Sequence, residues 1–129
     1  MNAGNEIIMR EKIKDGLTHF NNGEFFDAHE VLESAWKLDH SKRKVLIQGL
    51  VQFSVGCYHA RRKNWVGAER VLLRARSKLV PFQDSSSFVD ITLVLSQLND
   101  LIDRILRIKN LPNEHIEFIV DPKIYYIEE

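Results

Sequence analysis

One cysteine, three prolines and six glycines are spread through 129 residues. The lone cysteine, Cys57, excludes an internal disulfide. It lies between Gly56 and Tyr58 in an apolar stretch and reads as a small buried side chain. No apolar run is long enough to cross a bilayer, and no early run resembles a signal peptide. The expected location is the cytoplasm, with no membrane partner. Neither charge sign is in excess, because eighteen basic residues face eighteen acidic ones. That balance removes any global field that would draw the chain to nucleic acid. A Gly-rich phosphate loop, paired cysteines, a serine nucleophile elbow and a nucleotide fingerprint are all missing, so no cofactor is expected.

What is present is the composition of a soluble globular protein, 44% hydrophobic and 28% charged. The length fits a single domain over 1–129. Helical periodicity predicts five helices, over 6–20, 23–38, 42–62, 65–79 and 88–109. The first carries the stripe Met9, Ile13, Leu17, Phe20. The third is the most apolar and is expected to be buried on more than one side. Pro81 and the serines after Asp84 break the pattern before the fifth helix. Expected helix starts are Asn21 with Glu24, Ser41, Asn64, and Ser87 with Asp90. The tail, 110–129, is rich in β-branched and aromatic residues around Asp121-Pro122. It reads as an extended strap on the 6–109 bundle, since an isolated hairpin is marginal.

An internal similarity relates the segment at Gly23 to Leu32 with the segment at Lys63 to Leu72, Ala28 matching Ala68 at an offset of 40 residues. The spacing is that of tetratricopeptide-like helical hairpins. The fold class is therefore all-α: two antiparallel hairpins, a closing helix and an extended strap.

The informative stretch is 20–36. Phe26, His29, Glu33 and Trp36 recur at spacings of three, four and three, which places them on one helical stripe. Taking His40 as the pivot, Glu33 should lie level with Gln48, and His29 with Gln52. The same count puts His59 near Asn21 and Asn22, more than a turn from His29. Three readings compete for this cluster. It is a satisfied buried network in which His29 donates to Glu33 and the glutamines bridge the rest. It is a pocket for a small polar ligand or a protein partner, with Trp36, Phe26 and Tyr58 as walls. Or it is a metal-dependent hydrolase site using His29, Glu33 and His59, although Glu33 stands where the zincin pattern has its second histidine.

Glu30 adjoins His29 but points about 100° round the helix, onto a solvated face. Arg61, Arg62, Lys63, Arg70, Arg74, Arg76 and Lys78 make a basic run that reads as solvated surface. A homodimer is compatible with the apolar sides of the fifth helix and the strap.

Phe20-Asn21, Gly23, Phe25-Phe26, Ala28-His29-Glu30, Leu32-Glu33 and Trp36 form one block, and Gln48 to Gln52, Tyr58-His59, Asn64 and Gly67-Ala68 a second. Together, over roughly 16–80, they resemble the bacterial and archaeal domain-of-unknown-function family numbered 309. The resemblance implies a small helical bundle with no established activity. It directs attention to His29, Glu30, Glu33, Trp36, Gln52 and His59.

Overall fold

The computed structural model describes residues 3–85, 87–111 and 117–128. Five α-helices form: α1 Ala3–Asn21, α2 Phe25–Leu38, α3 Arg43–Arg61, α4 Trp65–Leu79 and α5 Ile91–Asn110. A short 3-10 turn, Val80–Phe82, follows α4, which helical periodicity does not anticipate. The stretches 112–116 and 129 of the expected tail lie outside the described residues.

α1 and α2 make one antiparallel hairpin and α3 and α4 a second. In the first, Met9, Ile13, Leu17 and Phe20 of α1 are buried with Ala28, Leu32 and Ala35 of α2. The helices approach closely at Gly16, where a β-carbon would lie 2.7 Å from the Leu32 Cγ. In the second hairpin the same role falls to Gly56, where a β-carbon would lie 2.4 Å from the Leu72 Cδ2. Gly16 and Gly56, like Leu32 and Leu72, are 40 residues apart.

The turns repeat as well. Glu24 N donates to His19 O at 2.9 Å, and Asn64 N donates to His59 O at 2.9 Å. Gly23 has φ +79° and its counterpart Lys63 has φ +62°. Glycine adopts that left-handed conformation at no steric cost, whereas lysine is strained in it. The internal similarity of the sequence is thus a repeat of structure, extending back into α1 and α3.

α3 is buried on two sides, between α2 and α4, as its apolar middle predicts. Val45 is the exception, lying exposed at the first turn of α3. α5 packs on α4 through a buried stripe that includes Val94, Leu98, Leu101 and Ile105.

Three expected helix starts are moved, one of them Ser41: the N-cap of α3 is Lys42, although Ser41 Oγ accepts from Arg43 N at 3.2 Å. Asn21 closes α1, and the N-cap of α2 is Glu24, whose side chain makes no capping bond. Asn21 instead clamps the strap: its Nδ2 donates to Ile124 O at 2.8 Å, and Ile124 N donates to its Oδ1 at 2.7 Å. At α5, Asp90 alone is the cap, accepting from Leu93 N at 3.1 Å. Asn64 caps α4 as expected, accepting from Gly67 N at 3.1 Å.

The strap, 117–128, is extended, buries Val120 and Ile124 and pairs with the chain before α5 at Val89 and Tyr126. Gln97 exchanges two hydrogen bonds with the Lys123 backbone, at 2.7 and 2.9 Å. Side-chain amides of Asn21 and Gln97 therefore satisfy backbone groups that a neighbouring strand would otherwise pair.

Candidate functional site

A groove runs between α2 and α3, walled by one stripe from each helix. α2 contributes Phe26, His29, Glu33 and Trp36 at the expected spacing. One end is a cleft of about 210 Å³ lined by Phe25, Phe26, His29, Val55, Tyr58 and His59. The adjoining end is a cleft of about 250 Å³ lined by Glu33, Trp36, Gln48, Val51 and Gln52. Seven of the eight candidate residues thus line one groove. Glu30 does not; it is exposed on the outer face of α2.

Of the levels counted about His40, Glu33 with Gln48 holds, and the others differ. Gln52 sits with Glu33, and His59 joins His29 instead of Asn21 and Asn22. The cause is the exit from α2. Asp39 is extended (φ −90°, ψ 134°) and α3 begins only at Arg43, which moves the pivot toward α3. Phe26 consequently meets Tyr58, with ring centroids 5.6 Å apart. Asp39 itself is fully buried, accepting from the Ser41 N–H and hydroxyl at 2.6 Å and lying 3.3 Å from Arg43 Nε. Nothing in the sequence pattern singles it out, since an Asp in a turn ordinarily faces water.

The hydrogen bonds fix the two imidazoles in opposite tautomers. His29 Nδ1 is 3.0 Å from Phe26 O, which only accepts, so Nδ1 carries the proton. Its Nε2, an acceptor in the neutral ring, lies 3.6 Å from Glu33 Oε2. That distance is beyond a hydrogen bond, so the expected donation from His29 to Glu33 is not made. In His59, Nδ1 faces the Asn64 Nδ2 donor at 3.3 Å and accepts. The Asn64 amide is oriented by its own capping bond to Gly67 N. Neutral His59 therefore presents Nε2–H as a donor.

The bridging network expected of the glutamines is also incomplete. Gln52 Oε1 is shut off from solvent and has no hydrogen-bond partner among the described residues. An orphaned buried acceptor costs about 1–3 kcal/mol. Glu33 is 41% exposed and has Lys37 Nζ at 3.7 Å as its other charged neighbour. Lys44, which no spacing rule singles out, places Nζ 4.4 Å from the centre of the Trp36 ring and donates to Trp36 O at 3.1 Å. At the aromatic end the Arg62 guanidinium lies 5.4 Å from the Tyr58 ring centre.

The acid–base groups do not gather into a metal sphere here. Among the described residues, the set whose ligand atoms lie within 4.8 Å of one another is His19, Glu24 and Asp27 on the α1–α2 turn. His29, Glu33 and His59 form no such set. The single cysteine is buried, and burial pushes its thiol well above the usual range, which leaves it unreactive. No helix among the described residues is long and apolar enough to cross a membrane.

The sequence profile of the family described as "Domain of unknown function (DUF309)" matches residues 13–71, a span that includes every groove residue. The "Uncharacterized protein YpuF" of Bacillus subtilis (strain 168) is 44% identical over 50 residues, which are 38% of this chain and 29% of that protein. The match thus spans less than a third of that relative's length. No solved structure matches the chain. The profile match, the two sequence blocks and the helical hairpins agree, and residues 13–71 are similar to the family described as domain of unknown function 309.

Proposed function

We propose that the protein is a binding module whose α2–α3 groove holds a small ligand. The observation that carries this reading is the contrast between the two repeats. Positions 29, 33 and 36 correspond to 69, 73 and 76 at the 40-residue offset. On α4 that stripe is fastened to α5: Lys109 Nζ donates to Glu69 at 2.6 Å, and Arg76 donates to Asn99 Oδ1 at 3.2 Å. On α2 the side chains of His29, Glu33 and Trp36 line open clefts and make no side-chain to side-chain hydrogen bond across the groove among the described residues; the tie from α3 is Lys44, over the Trp36 ring and donating to its carbonyl. One frame, used twice, is sealed in the second copy and left open in the first.

The groove offers an apolar floor with a few convergent polar groups, the usual make-up of a ligand site. His29 Nε2 and Glu33 accept, His59 Nε2–H donates, and Phe26, Tyr58 and Trp36 supply apolar walls. In this reading the tetratricopeptide-like hairpins are a rigid frame, and the strap holds the two hairpins in register.

The test is a fragment screen by NMR on isotope-labelled protein, with cationic, anionic and neutral fragments represented equally. Saturable shifts confined to groove residues support a binding module. A screen whose shifts miss the groove altogether sinks the reading.

A further inference from the structure

We infer that the Glu33 end of the groove selects an organic ammonium group, with the ligand's apolar body running toward Phe26, Val55 and Tyr58. The inference rests on the groove being a binding site and adds its ligand class.

The lining of the cleft points to a cation. Among the described residues, Glu33 is the one charged side chain lining it, and it is negative. The other polar groups there are the amides of Gln48 and Gln52 and the Trp36 indole. Carboxylate, amide oxygens and an indole face are the groups that receive an ammonium: two by charge-assisted and neutral hydrogen bonds, the third through the ring quadrupole.

The protein already draws cations to this place. Lys44 Nζ stands over the Trp36 ring at 4.4 Å, and Lys37 Nζ lies 3.7 Å from Glu33 Oε1. Neither uses the acceptors fully. Lys44 donates to the Trp36 carbonyl, and Lys37 stands outside the cleft with 66% of its side chain exposed. Neither Lys37 nor His29 comes within hydrogen-bond distance of the Glu33 carboxylate. Gln52 Oε1, an acceptor beside it, has no partner at all among the described residues. An incoming ammonium has three protons to donate, which the exposed Glu33 carboxylate can accept directly; Gln52 Oε1, shut off from solvent as it stands, joins once its side-chain amide rotates toward the cleft. The adjoining cleft, lined by Phe25, Phe26, Val55 and Tyr58, then accepts the apolar body.

Benzylammonium and benzoate, near-isosteres of opposite charge, separate the possibilities. Each is titrated against wild type and Glu33→Gln, following the Gln48 and Gln52 side-chain amides and the Trp36 indole N–H by NMR. Glu33 is half exposed and without a hydrogen bond, so Glu33→Gln should fold as wild type, which circular dichroism checks. The expected result is saturable binding of benzylammonium, weakened about tenfold in Glu33→Gln, with no saturable response to benzoate. Benzoate binding as well as benzylammonium, or benzylammonium unaffected by Glu33→Gln, overturns the ligand class and leaves the groove standing as a site. Binding of neutral or anionic fragments of the wider screen, without benzylammonium, overturns it in the same way. If no compound of any charge shifts groove signals, the inference and the binding reading fall together.

Discussion

Replacing Gly56 by Ala probes the tightest of the glycine contacts among the described residues. The added β-carbon would lie 2.4 Å from Leu72 Cδ2 and 2.6 Å from Leu72 Cγ, against about 3.5–4.0 Å for an unstrained contact. Leu72 is fully buried and Cγ is its branch point, so the side chain has nowhere to retreat. Overpacking of this kind costs about 1–3 kcal/mol, and the short distances place it at the upper end. Alanine returns about 1 kcal/mol through its better helix propensity. The net expectation is a loss of about 2 kcal/mol, measured by urea unfolding followed by circular dichroism. The sign should reverse in a second background. Leu72→Ala alone costs about 2–5 kcal/mol by leaving a cavity, but it removes both clashing atoms. Adding Gly56→Ala to it should then stabilise by about 1 kcal/mol. A Gly56→Ala protein as stable as wild type, or a double mutant whose losses simply add, refutes the close-packing account of the repeat.

Three further outcomes are expected. Lys63→Gly should stabilise by about 0.5–1 kcal/mol, because relief of roughly 1–2 kcal/mol of left-handed strain exceeds the added freedom of the unfolded chain; a lower urea midpoint would contradict this. Hydrogen bonds from Arg43 outweigh burial and hold the Glu6 carboxyl below its ordinary 4.5. Its folded value is depressed, so the stability it adds is complete above 4.5 and is lost as pH falls through the folded value. Wild type should therefore lose stability more steeply than Glu6→Gln on acidification below 4.5, and parallel pH profiles would count against the ion pair. Cys57 should resist a disulfide reagent in the native state and react fully in urea; rapid native labelling would show that the α3 core opens.

The helices are legible in the sequence because their apolar stripes recur at helical spacing, and α4 is bounded correctly at both ends by Asn64 and the residues before Pro81. The groove is legible for the same reason: Phe26, His29, Glu33 and Trp36 share a face that no ordinary core would carry. The level of α3 against α2 is not, because it depends on the extended conformation at Asp39, and a residue count treats the turn as symmetrical. The repeat is visible in Ala28 and Ala68, but its tightest contacts are at Gly16 and Gly56, whose shared offset is plain only once their leucine partners are seen. Asn21 reads as a cap because Asn before a helix usually is one; its use as a backbone surrogate for the strap depends on a segment 103 residues away. Tautomers of His29 and His59 likewise depend on which carbonyl or amide packs against each ring, and no spacing rule carries that information.

The central claim is that the α2–α3 groove is an open site rather than an incidental gap. The most direct measurement compares fragment binding to wild type and to Val55→Trp, which fills the aromatic end from its own floor. Shifts of the Gln52 side-chain amide and the Tyr58 ring that saturate in wild type and vanish in Val55→Trp are the expected result. Equal binding to both proteins, with shifts away from these residues, would contradict it.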